Sequence, residues 1–234
     1  MKMRIDIISA VPDIFTSPLS SSILKRAQDK GKVEIYVHNL RDYAFNKHRQ
    51  IDDKPFGGGP GMVLKPEPFF ECIEKLLSER SYDHIIFTTP KGRIFNQKQA
   101  NRLSLAGNIL FVTGHYKEMD DRVREKFATD ELSIGNFVLT GGELPALVFL
   151  DAVVRLIPGV LNDSESALDD SFQDGEKIEA PYYTRPAEYR GLKVPEVLLS
   201  GNEKEIKKWK EQQSIALTEK WRNYNNKISG VNND

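Results

Sequence analysis

The chain has 234 residues and a mass of 26.6 kDa, with 33 basic side chains against 34 acidic ones and a single cysteine. That length suits one sizeable domain, or one domain with an appendage, and leaves material for a substantial core. Cys72 alone can form neither an internal disulfide nor a cysteine zinc site, so the framework reads as that of a reducing, cytoplasmic compartment. Asp6 and Asp13 interrupt the apolar start, and no uncharged run approaches the ~18 residues of a membrane helix, which excludes secretion and membrane spanning. A formal charge of -1 carries no basic excess, so any polyanionic partner must be held by local patches.

In chain order, residues 2–9 and 33–37 read as strands from their β-branched runs, and residues 12–29 between them carry the apolar spacing of one helix. A helix over 66–78 opens at Pro66, with Cys72 beside its apolar stripe as inert core. Residues 84–89 and 108–113 are nearly continuous apolar runs, the pattern of parallel strands buried on both faces, joined by a crossover helix over 96–105. A further helix spans about 142–157. This alternation predicts an α/β domain over residues 1–161. The acidic stretch that follows, with Asp163, Glu165, Asp169, Asp170, Asp174, Glu176 and Glu179, reads as a flexible linker over 162–178. Residues 179–234 then form a small helical domain. There Ser200 and Glu203 suggest a capping box for a helix with Ile206, Trp209, Leu217 and Trp221 on one side. Its lysine-rich other side is equally compatible with solvation and with an RNA contact.

Three glycine clusters stand out: Gly57–Gly61 with Pro60, inside a long charged loop containing Lys47, His48, Arg49, Asp52, Asp53 and Lys54; Gly114 after a strand; and 133–143, which contains Gly135, Gly141 and Gly142. No Lys-Ser or Lys-Thr follows the first, so it is not a Walker-type phosphate loop. Glycines at the carboxyl ends of parallel strands suit close approach of main chain to a ligand, although strand ends also need glycine merely to turn. Arg155 has an ordinary reading as the partner of Asp151 one helical turn earlier. The four histidines show no zinc-ligand spacing.

The stretches RQIDDKPFGGGPGM (49–62), SIGNFVLTGGELPA (133–146), RLIPGV (155–160), DSF (170–172), YTRP (183–186) and VPEVLLSGN (194–202) together closely resemble the bacterial TrmD family of tRNA (guanine-N1)-methyltransferases. The resemblance implies a trefoil-knotted SPOUT domain with a parallel sheet, a small helical C-terminal domain, and a homodimer with shared active sites. It implies S-adenosylmethionine as methyl donor, contacted around Thr89, Pro90, Gly114, Ile134, Gly135, Leu139, Gly141 and Gly142. The target is N1 of the guanosine immediately 3′ of the anticodon, position 37. Asp170 takes the role of general base and Arg155 that of the cation stabilising charge on O6. His48, Arg49, Asp52, Pro60 and Gly61 belong to the loop that grips the tRNA anticodon stem-loop. Dependence on Mg2+ is also implied, with no ligand set readable.

Two features depart from the family pattern. Where the family carries Gly-Arg-Tyr-Glu-Gly, this chain has Gly114-His115-Tyr116-Lys117-Glu118, so Lys117 replaces a glutamate that orders donor and target base. Glu118 compensates only if the loop shifts by one place. The C-terminal domain also reads as shorter than the family's. A non-catalytic RNA- and nucleotide-binding module and a knotted methyltransferase for another RNA are the competing readings.

Overall fold

The computed structural model describes residues 2–161, 170–173 and 175–228. The chain divides into two compact units, Met1–Ser164 and Glu165–Asp234.

The first unit is built on a five-stranded, all-parallel sheet. Its strands are β1 (Met3–Ser9), β2 (Val33–Asn39), β5 (His84–Ile94), β6 (Asn108–Thr113) and β8 (Asp130–Ser133), in spatial order β2-β1-β6-β5-β8. Short segments β3 (Asp52–Asp53), β4 (Val63–Leu64) and β7 (Glu118–Met119) form a second small sheet. Both faces of the large sheet are covered, which is why its strands read as continuous apolar runs. On one face Ile5, Ile7, Ile109 and Phe111 pack with α2 (Ser22–Asp29), α4 (Gln97–Leu103) and α6 (Glu143–Val154). On the other, Ile8, Phe87, Leu110 and Val112 meet α3 (Pro66–Glu79) and α5 (Asp121–Phe127) through Phe69, Ile73, Leu76 and Val123. Cys72 is fully buried there, and burial pushes its thiol up to about 12, consistent with inert core.

The single helix predicted over 12–29 is broken instead into a 3-10 turn at Pro12–Phe15, the short α1 (Thr16–Leu19) and α2. Serine hydroxyls cause the break. Ser20 Oγ donates to Thr16 O and Ser17 O at 2.8 and 3.0 Å, and Ser21 Oγ donates to Ser17 O at 2.8 Å, occupying the carbonyls that a continuing helix needs. The crossover helix starts at an Asn96 cap whose side chain and that of Gln99 satisfy each other's backbone N–H groups. Two elements without a clear sequence signal, α5 and β8, complete the sheet edge.

One charge sits at the heart of β1. The Asp6 side chain is fully buried and receives Arg4 through two bonds of 2.8 and 2.9 Å, Tyr82 Oη at 2.9 Å and His38 Nε2 at 2.7 Å. Arg4 also lies over the Tyr36 ring at 3.9 Å. Burial alone would raise the Asp6 carboxyl, but the bonds from His38, Arg4 and Tyr82 outweigh it and hold the group at about 2.

In the second unit, β9 (Glu188–Tyr189) and β10 (Leu192–Lys193) form a hairpin whose turn residues, Arg190 and Gly191, both have positive φ. A short α7 (Glu196–Leu199) precedes the 26-residue α8 (Glu203–Ile228). The cap of α8 is Asn202, whose side chain accepts from Glu205 N at 3.3 Å, and not Ser200, which instead holds Asn202 N at 3.1 Å. Ile206, Trp209, Leu217 and Trp221 are half-buried along one side, as predicted, but Ser214 and Thr218 are deeper. Both hydroxyls clasp the peptide of Ile178: Ser214 Oγ donates to its carbonyl, and its N–H donates to Thr218 Oγ1 at 2.9 Å. Phe172 packs edge-on to Trp221 at 5.3 Å. The described part of the acidic stretch, 170–173 and 175–178, therefore lies against α8, while 162–169 and 174 fall outside the described residues.

Because the Asp6 carboxyl is lower in the folded protein than its ordinary value of 3.8, its contribution is complete above that value and is lost as pH falls toward 2. The difference corresponds to about 2 kcal/mol. Denaturant unfolding followed between pH 4 and 2 should lose stability less steeply in Asp6→Asn than in the wild type; identical slopes would refute this assignment.

Candidate active site

A cleft opens at the bulge of β5 and at the ends of β6 and β8. Its walls are three segments, 88–90, 114–118 and 132–142, with Pro145 beneath. This is the carboxyl end of a parallel sheet, where α/β folds place their ligands.

Each segment has a local physical reason for its shape. β5 pairs with β8 through Thr88, then again from Arg93, with both residues opposite Leu132. The intervening residues 89–92 are pushed out of the ladder, which carries Thr89 and Pro90 into the cleft wall, a common use of a bulge. Gly92 lets the strand rejoin, since a Cβ there would stand 2.6 Å from Glu131 C and Leu132 N. The second and third segments are held edge to edge by Gly142 N–H donating to Gly114 O at 2.7 Å and by a bridge between His115 and Gly141. A Cβ on Gly142 would collide with Thr88 Oγ1, and one on Gly141 with Glu143 Oε2 and His115 Nδ1. Phe137, Val138 and Leu139 form an exposed apolar rim.

Under the floor lies Glu143, 1% exposed, at the first turn of α6. Its Oε1 accepts from Ser9 Oγ at 2.9 Å and Thr113 Oγ1 at 3.4 Å, and its Oε2 is 3.3 Å from His115 Nδ1. Thr113 Oγ1 lies 2.8 Å from Ile8 O, and Ser9 Oγ accepts from Val11 N. The buried carboxylate thus joins the ends of β1 and β6, the start of α6 and a cleft-wall histidine. Sequence reasoning assigned Glu143 no role, because an acid in the first turn of a helix already has an ordinary explanation in the helix dipole.

All eight residues expected to contact the donor, Thr89, Pro90, Gly114, Ile134, Gly135, Leu139, Gly141 and Gly142, line this one cleft. The loop residues His48, Arg49, Asp52, Pro60 and Gly61 do not line it. Arg49 has φ 50° and pairs with Asp42 at 3.0 Å, and Asp52 lies in β3 opposite Leu64. His48 and Pro60 are exposed. The glycine loop is nonetheless tied to the cleft wall: Lys117 N donates to Met62 O at 3.2 Å, β4 pairs with β7, and Gly59 and Gly61 flank the Lys117 side chain. Arg155 is the half-buried residue closing α6, its N–H donating to Asp151 O at 3.3 Å. Asp170 is half-buried in the second unit. Among the described residues no group of three or more His, Cys, Asp or Glu is placed to hold a metal ion. Asp163, Glu165, Asp169 and Asp174 lie outside the described residues. No helix among the described residues is long and apolar enough to cross a membrane.

Comparison with known proteins converges. The family profile described as tRNA (Guanine-1)-methyltransferase TrmD matches residues 3–225. A tRNA (guanine-N(1)-)-methyltransferase of Chlorobaculum tepidum is 58% identical over 216 residues, covering 92% of this chain and 94% of the relative. One from Bacteroides fragilis is 57% identical over 220 residues, covering 94% and 97%. Among solved structures, the crystal structure of tRNA (m1G37) methyltransferase from Aquifex aeolicus is similar with a TM-score of 0.81 at 38% identity, with both chains covered completely.

The contact between the two loops leaves no room for a side chain at its centre. Gly142→Ala should therefore destabilise the first unit by ~1–3 kcal/mol, the usual cost of overpacking, measured as a lowered thermal midpoint. An unchanged midpoint would show that Thr88 and Gly114 yield freely.

Proposed function

The chain belongs to the TrmD family of tRNA (guanine-1)-methyltransferases, and we propose that it methylates N1 of the guanosine at position 37 of tRNA with S-adenosylmethionine as donor. The observation that carries this reading is the convergence of all eight expected donor contacts on one cleft. The cleft suits such a donor in kind. Glycine backbone at Gly114, Gly141 and Gly142 offers main-chain groups to a base or ribose, and Leu132, Ile134 and Pro145 add apolar surface. When bound, the donor supplies a methyl group already activated by the positive charge on sulfur.

The work left to the protein is on the guanine. N1 carries a proton, and its electron pair attacks well only as that proton departs and negative charge develops on O6. We assign the proton to the Asp170 carboxylate. Arg155 takes the charge at O6 through its guanidinium. The loop carrying His48, Arg49, Asp52, Pro60 and Gly61 holds the anticodon stem-loop, with basic groups on phosphates and selectivity from contacts to splayed bases. Its attachment to the donor cleft through β4 and β7 supports this role, because RNA bound there sits on the same rigid element as the cleft wall.

Family membership also supports a trefoil knot in the first unit, a small helical C-terminal domain, and a cytoplasmic homodimer. The homodimer has local support. Val138 on the cleft rim is 83% exposed, and Leu144 and Val148 form an exposed apolar pair one turn apart on α6. A second copy covering this patch would remove it from water.

Two measurements test the reading. With donor and unmodified tRNA, Asp170→Ala should lower single-turnover methyl transfer ~10²–10⁴-fold, as loss of a general base does, and Arg155→Ala should lower it by ~10²-fold or more. Transfer by Asp170→Ala at the wild-type rate, or methylation of a tRNA lacking guanosine at position 37, would refute it. Light scattering should give twice the 26.6 kDa chain mass, falling toward the monomer in Val148→Glu; a monomeric wild type would refute the dimer.

A further inference from the structure

Lys117 and Glu118 are neighbours on the cleft wall, and the fold directs them to different surroundings. Lys117 lies along the glycine loop: a Cβ on Gly61 would stand 3.6 Å from Lys117 Cβ, and one on Gly59 would stand 3.7 Å from its Nζ. Glu118 begins β7, whereas Lys117 stands in the bend before it, its N–H donating to Met62 O at 3.2 Å. Glu118 Oε1 comes within 3.4 Å of the Cβ position of Gly114, on the cleft side, and accepts from Met119 N at 3.3 Å. Its Oε2 is 3.8 Å from Lys91 Nζ, a loose pair in which the lysine side chain is 71% exposed. Glu118 is the only carboxylate among the described residues lining the cleft, and Glu143 beneath is already occupied by Ser9, Thr113 and His115.

A donor of the class proposed above presents two cationic centres, the sulfonium and the α-ammonium group, to a wall whose other chargeable side chains include His115 and Lys117. Resting on that reading of the cleft, we propose that Glu118 supplies the anionic contact for the donor's cationic amino-acid portion, exchanging its loose pairing with Lys91 for it. The Lys117 side chain runs along Gly59 and Gly61. The carboxylate that the family resemblance places at position 117 is thus provided from position 118, with Gly114 leaving the space into which it reaches.

Titration calorimetry on the full chain tests this with three ligands: S-adenosylmethionine, S-adenosylhomocysteine, which lacks the sulfonium charge, and 5′-methylthioadenosine, which lacks both cations. Glu118→Gln should weaken S-adenosylmethionine ~10-fold or more, the scale of a lost charged hydrogen bond, while leaving methylthioadenosine within about twofold. Equal losses for the first two ligands place the contact at the ammonium group; a loss confined to S-adenosylmethionine places it at sulfur. An undiminished affinity for S-adenosylmethionine, or the same loss for all three ligands, overturns the proposal. If the wild type binds none of the three, the donor-cleft reading falls with it. Binding by the wild type with an indifferent Glu118→Gln removes Glu118 alone.

Discussion

The structure of the first unit turns on one close approach, the hydrogen bond from Gly142 N–H to Gly114 O. It brings the loops after β6 and β8 into contact over Thr88, with no space for a Cβ at Gly141 or Gly142. Glycine at these positions is dictated by neighbours rather than by φ, since neither has a left-handed backbone. Directly below, Glu143 converts the same contact into a polar anchor shared by Ser9, Thr113 and His115. A carboxylate buried this completely is tolerated only because every side of it meets a partner, and removing one partner would leave the rest unsatisfied in a dry environment. The cleft therefore inherits its shape from the sheet's own core, not from flexible loops packed on top.

Two other charges are buried on the same logic but serve stability. Asp6 is neutralised by Arg4, His38 and Tyr82 in the middle of β1. Asp130, at the start of β8, pairs with Arg102, Arg93 and His84. The three networks lie along the sheet from β1 to β8, and each links elements far apart in sequence. Such networks fix which strands neighbour one another, because a wrong pairing strands an ion in the core. A nearly neutral chain can therefore hold strong local fields around its buried carboxylates.

The sequence was most legible where one physical demand dominated. Strands buried on both faces announce themselves as unbroken apolar runs, so β1, β5 and β6 were readable to within a residue or two at their starts. The glycine-rich segments pointed to the cleft, and at Gly141 and Gly142 the structure supplies the reason, since a Cβ has no room there. Legibility failed where short-range side-chain bonding overrode periodicity, as at Ser20 and Ser21, whose hydroxyls end α1 within a helical apolar pattern. It failed again for β8, four residues long and beginning with Asp130 and Glu131, which has no apolar signature before the arginines that neutralise it are in place. Ser214 and Thr218 look like exposed helix positions until Ile178 is seen to lie across them. The roles given to Asp170 and Arg155 came from resemblance and not from spacing. An aspartate in an acidic run and an arginine one turn after Asp151 carry no chemical signal of their own.

The same limit explains why Lys117 looked like a defect. Read along the chain, a lysine in place of a glutamate is a charge inversion beside a cationic donor, and such an inversion opposes binding. In three dimensions the sign of a residue matters only with its direction. β7 pairs with β4 in a register that sets Glu118 opposite Val63 and Met119 opposite Leu64. The ladder holds Glu118, while Lys117 stands in the bend just before it, its N–H donating to Met62 O at 3.2 Å. Lys117 and Glu118 therefore set opposite charges beside that one short ladder, the lysine along Gly59 and Gly61 and the glutamate near Gly114.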